Sequence, residues 1–161
     1  MQNSTGVSRA LLDRHTTRSF PARLDLLPSV AAYLEETCTA AGLVRDDCLR
    51  LTLLVEELFT NTVLHGHGGD TDAPVSLSVE VGAGEVALTY EDSAPSRDPF
   101  ATRPRPDESA CVEEWSVGGL GLSLIAGIVE RLEYSHVGGR NRVYLVVRRP
   151  PATGGGSPLD G

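Results

Sequence analysis

The sequence predicts an α+β domain of two layers, with helices on one face of a mixed, mainly antiparallel sheet. Two observations carry this. Apolar residues recur at helical spacing over about residues 28–42, about 46–65 and again beyond residue 121. Alternating apolar and polar residues, interrupted by glycines, form two hairpin patterns over residues 74–91 and 132–149. At 161 residues and 17.1 kDa the chain has room for one such domain and is short for two.

Residues 1–15 are expected to be a flexible N-terminus, and "TTRSFPAR", residues 16–23, reads as a first strand. The helical pattern that follows starts near Pro28, which suits a first turn, and Gly42 can close it. Asp46 and Asp47 favour the start of a second helix, where Leu51, Leu54, Val55, Leu58 and Phe59 form the apolar stripe of a central helix running to about residue 65. "PVSLSVEVGAGEVALTYE" alternates Val75, Leu77, Val79 and Val81, turns at Gly82 and Gly84, and resumes with Val86, Leu88 and Tyr90. Periodicity then disappears from Ser93 to Val117, where Pro95, Pro99, Pro104 and Pro106 alternate with charges; a loop of this length is a lid or is disordered. After "GGLG", residues 118–121, the residues Leu122, Ile125, Ile128, Val129 and Leu132 predict another amphipathic helix. "LEYSHVGGRNRVYLVVRR" closes the domain as a hairpin turning at Gly138 and Gly139. A Pro/Gly/Ser tail occupies residues 150–161, which leaves residues 16–149 as the folded domain.

Composition narrows the function. The formal charge of −8 and the scattered arginines argue against direct nucleic-acid binding and suit a basic protein partner. No apolar run is long enough to span a membrane, and "MQNSTGVSRALLDRHTTRS" lacks the apolar core of a signal peptide, so a cytoplasmic location is expected. Cys38, Cys48 and Cys111 are an odd number without CxxC spacing, which indicates small buried hydrophobes and neither a disulfide framework nor a zinc site. All fourteen basic residues are arginine, which excludes a P-loop lysine and Schiff-base chemistry.

The candidate site begins in "EELFTNTVLHGHGGD", residues 56–70. At about 100° per residue, with Leu51 at zero, Glu57, Asn61 and His65 fall at about 240°, 280° and 320°, starting at the edge of the apolar stripe and drifting into it. Glu56 points about 140° away from Asn61, so only Glu57 can share a site with it. The helix alone allows a plain structural reading, with Asn61 and His65 satisfied by backbone groups. Asp92 at a strand end and the glycines of "VGGLGLS" at a helix start add to it, because such a start presents free N–H groups and a positive dipole end to phosphate.

In this order the sequence resembles the GHKL superfamily of ATP-binding domains, and within it the bacterial anti-sigma-factor serine kinases. "EELFTNTVLHG" looks like the family's N box, "EDSAPSRDPF" like its G1 box, and "GGLGLSLI" with "GGRN" like its G2 box and final hairpin. The resemblance covers residues 16–149 and implies a GHKL (Bergerat) sandwich binding ATP and Mg²⁺. It implies that Asn61 coordinates Mg²⁺, that Glu57 is the general base and that Asp92 accepts from the adenine amino group. Gly119 and Gly121 would line the phosphates, with Gly118 and Leu122 beside them. A carboxylate one turn before Asn61, about 6 Å along the axis, suits the base role. His65 is expected to be structural, holding the helix end, and Arg103 and Arg105 to be solvated loop charges. Two positions depart from the family pattern: Ala94 stands where the G1 box has glycine, and Tyr144 is expected where the last strand has a threonine on the adenine side.

The function implied is a serine protein kinase that phosphorylates an antagonist protein and sequesters a sigma factor, possible as a homodimer. The alternative is a non-catalytic interaction module that keeps the fold with impaired ATP binding. A histidine-kinase catalytic domain is a third reading, but no histidine lies on a dimerising coiled-coil pattern.

Overall fold

A computed structural model describes residues 14–100 and 125–150. Strand β1, Arg14–Pro21, leads through a short turn into helix α1, Leu27–Ala40, with Pro28 in its first turn. Gly42 ends it in the left-handed conformation at φ 81°, and the Leu43 N–H returns to the Cys38 carbonyl at 3.2 Å. Only a residue without Cβ reaches this conformation cheaply, which is why the chain turns here. Helix α2, Arg45–Asn61, begins with Asp46 and Asp47 in its first turn, where carboxylates meet the positive end of the dipole.

Strands β2, Pro74–Val81, and β3, Glu85–Asp92, form the first hairpin; β4, Val129–Val137, and β5, Arg140–Arg148, form the second. The second turns on Gly138 and Gly139, both at positive φ (61° and 74°), as a two-residue hairpin loop requires. The strand order is β1-β2-β3-β5-β4, and every described pairing is antiparallel. β5 therefore lies beside β3, and Asp92 faces Asn141 across the pair.

Alternation sends Val75, Leu77, Val79, Val86, Leu88, Tyr90, Val143, Leu145 and Val147 to one core, met by Val30 and Leu34 of α1 and by Leu51, Leu54, Val55, Leu58 and Phe59 of α2. The opposite sheet face carries polar pairs such as Thr17 with Ser78 and Arg142 with Glu91. One wet face is the usual condition of an antiparallel sheet. No helix among the described residues is long and apolar enough to cross a membrane.

The helix expected beyond residue 121 is corrected at its end: Ile125 is the last helical residue, residues 126–128 form a turn, and Val129 and Leu132 belong to β4. The register shifts between Val129 and Arg131. A bulge of this kind turns two residues three apart toward the same side, which imitates helical spacing. Leu122 lies outside the described residues, as do residues 101–117 of the expected lid, residues 1–13 and the tail from residue 151.

Candidate functional site

β3 delivers Asp92 to the core face of the sheet two residues after Tyr90, and there the carboxylate is 7% exposed. Burial at this level requires partners. Oδ1 accepts from the Ala94 N–H at 2.9 Å and from Asn141 Nδ2 at 2.8 Å, while Oδ2 accepts from the Thr62 hydroxyl at 2.8 Å. The Tyr90 hydroxyl lies 2.7 Å from Thr62 Oγ1. Burial pushes the Tyr90 phenol well above its ordinary value, and the Asp92 carboxylate adds to this. Tyr90 therefore keeps its proton and donates to Thr62, whose own hydroxyl proton faces both the Asp92 carboxylate and the Leu58 carbonyl, the latter at 2.9 Å.

Above the carboxylate opens a cavity of about 320 Å³, whose lining includes Asn61, His65, Ala94, Arg97, Tyr134 and Asn141. Leu58 and Val143 give it apolar lining, and Thr62 and Asn141 both donate to Asp92 at its edge. A concave site with an apolar lining and a few fixed polar groups is the usual form of a small-molecule site.

Helix α2 brings Asn61 to the wall, half-buried, and Glu57 lies one turn earlier, also half-buried. Among the described residues lining the cavity, Asn61 is present and Glu57 is not. Glu56 is half-buried as well, so helical phase and not burial separates the two glutamates. After Asn61 the chain widens into a π-type turn over Thr62–Gly66, with the His67 N–H bonded to the Thr62 carbonyl at 2.9 Å. The wider turn undoes the drift expected of a regular helix. His65 is exposed at the cavity edge, which corrects the expected drift into the apolar stripe. The same turn carries Thr62, whose hydroxyl reaches Asp92 and which no sequence motif singled out.

Two further expectations change. Tyr144 stands on the wet face of the sheet, paired across from Thr89 and covered by the Arg131 guanidinium 5.7 Å from its ring. It is one residue out of phase with the cavity, and Asn141 and Val143 of β5 line the site in its place. Ala94 is buried against the π-type turn, where a Cβ added to Gly66 would come 2.7 Å from the Ala94 methyl. The bare backbone of Gly66 thus makes room for the methyl at position 94. Gly118, Gly119, Gly121 and Leu122 lie outside the described residues, as do Arg103, Arg105 and Cys111.

No group of three or more His, Cys, Asp or Glu among the described residues is placed to hold a metal. A cation here would take Asn61 and fill its remaining positions from water and phosphate, a donor set that fits Mg²⁺ and not zinc.

A two-layer sandwich with a buried strand-end carboxylate facing an asparagine-bearing helix across a cavity is the arrangement of a nucleotide-binding ATPase domain. The chain belongs to the histidine kinase-like ATPase domain family, whose model matches residues 20–147. Among solved structures it is similar to the crystal structure of the RsbU and RsbW domains of Rv1364c from Mycobacterium tuberculosis, with a TM-score of 0.57 and 18% identity. That match covers 86% of this chain and 33% of the other, so the chain spans about a third of the protein it resembles. Identity at this level speaks for the fold alone. No curated protein matches the chain.

Proposed function

We propose that the chain binds Mg·ATP and transfers the γ-phosphoryl group to a serine of a partner protein, as an anti-sigma-factor-type kinase. The Asp92 carboxylate carries this reading. A carboxylate offers about four acceptor positions, and three are taken by Ala94, Asn141 and Thr62. Among the described residues one position on Oδ2 is left, at a buried point bordering the cavity. It suits one N–H donor and repels a carbonyl oxygen, which matches the exocyclic amino group of adenine.

From there α2 leads to the phosphate end. Asn61 would hold Mg²⁺ through its amide oxygen, and the bound ion would neutralise charge on the phosphates. Glu57 would accept the proton of the attacking serine hydroxyl as its oxygen bonds to the γ-phosphorus and ADP leaves. Gly118, Gly119, Gly121 and Leu122 would cradle the phosphates. The partners would be an antagonist protein carrying the serine and a sigma factor, with a homodimer as the assembly and the cytoplasm as the location. The motif resemblance supports this reading, as does the fold likeness to a structure that contains an RsbW domain.

The experiment measures ADP release and Mg·ATP binding for three variants. Glu57→Ala should cut turnover by at least about a hundredfold and still bind ATP, whereas Asn61→Ala should weaken the Mg²⁺-dependent binding itself. Glu56→Ala should do neither. An essential Glu56 beside a dispensable Glu57 would remove the proposed chemistry.

A further inference from the structure

Asn141 is 6% exposed and enters the sequence only as the last letter of "GGRN". Its Nδ2 lies 2.8 Å from Asp92 Oδ1, 3.0 Å from the Ala94 carbonyl and 3.2 Å from the Pro95 carbonyl. Its Oδ1 accepts from the Tyr134 hydroxyl at 2.7 Å and from the Arg97 N–H at 3.3 Å. A reversed amide would set oxygen against a carboxylate and two carbonyls, and nitrogen against two donors, so the partners fix its orientation.

The amide has two protons and two lone pairs. One proton goes to Asp92, and the other is shared between the Ala94 and Pro95 carbonyls. Tyr134 and Arg97 use both lone pairs. Nothing on Asn141 is left for a ligand, although it borders the cavity. Its bonds instead join three pieces of chain: the end of β3, the backbone of residues 94–97, and β4 through Tyr134.

We infer that Asn141 is a positioning residue for base recognition: it locks the Asp92 carboxylate and the backbone of residues 94–97 into one unit, so that the acceptor left on Asp92 Oδ2 meets only a base bearing an exocyclic amino group. This role rests on the nucleotide reading above and adds to it the origin of base choice. Without the Asn141 bond, Oδ1 would regain a free lone pair beside the one on Oδ2, and the carboxylate would be held by Ala94 and Thr62 alone. Asp92 would then offer no single fixed acceptor. Selectivity would fall more than packing would.

The test is isothermal titration of the full chain with the magnesium complexes of ATP and of ITP, whose base has a carbonyl in place of the amino group. The wild type should prefer ATP by at least about tenfold, the scale of one buried donor–acceptor mismatch. Asn141→Asp is nearly isosteric but sets an oxygen against Asp92 Oδ1, and should bring the ratio to within about threefold of unity. Tyr134→Phe removes one donor to Asn141 and should lower the ratio by a smaller factor with the fold intact, and it decides the matter should Asn141→Asp fail to fold. A folded Asn141→Asp, or failing that Tyr134→Phe, with the wild-type ratio would overturn the positioning role and leave nucleotide binding standing. A wild type that binds neither nucleotide would overturn the nucleotide reading and the positioning role together.

Discussion

Cys38 shows what burial does to a single group in this core. Burial pushes its thiol from an ordinary 9.0 up to about 12, and the Cys48 thiol adds to the effect. The folded-state value lies above the unfolded one, so the neutral thiol's contribution to stability is whole below pH 9 and is lost as the pH rises from 9 toward 12. About 2 kcal/mol should be gone by pH 10.5, and Cys38→Ala should lack that part of the alkaline decline. Urea unfolding at pH 8 and pH 10.5 measures it; equal losses in variant and wild type would show that the thiol stays protonated in both states or ionises in both. The site residues divide by how local their roles are. That Asn61 and Asp92 would border one cavity was legible, because one helix face and one strand end place them. Thr62 and Asn141 were not, since each acquires its role from a carboxylate 30 or 49 residues away in the chain. Tyr144 was misplaced by a single step of strand alternation, which decides between cavity and wet face.

The π-type turn after α2 is where element and site meet. Gly66 lies so close to Ala94 that a methyl on it would approach the other to 2.7 Å. Gly66→Ala should therefore destabilise the domain by about 1–3 kcal/mol, and the double variant with Ala94→Gly should recover most of the loss. A denaturant-based double-mutant cycle reads the coupling, and additive losses would mean that the two positions do not share this space. Most elements could be read from the sequence. Gly42, Gly138 and Gly139 punctuate the chain where the backbone needs positive φ, and the alternation of β2 and β3 matches their buried residues. Two departures from regular geometry were hidden. A π-type turn has no residue signature, so the helical phase past Asn61 was extrapolated wrongly to His65. A bulge at Val129–Arg131 put inward residues three apart, and a strand read as the end of a helix.

The strand order places β5 beside β3, and this crossing assembles the site from α2, the end of β3 and the closing hairpin. Each piece alone is an ordinary helix, strand end or hairpin; together they enclose a buried carboxylate that keeps one acceptor position unused among the described residues. The two-layer class was legible because the antiparallel pattern and the amphipathic helices admit few other arrangements. The order of strands was not, since alternation says which face is buried and not which strand is the neighbour. The central claim is that this cavity is a nucleotide site read by Asp92. Thermal unfolding with and without Mg·ATP tests it most directly. At a hundred times its dissociation constant the ligand should add about 2.7 kcal/mol, or roughly 5–10 °C for a chain of this size, and Asp92→Asn should lose nearly all of that shift at the same concentration. A wild type whose midpoint does not move at millimolar Mg·ATP, or an Asp92→Asn variant that shifts as far as the wild type, would contradict the claim.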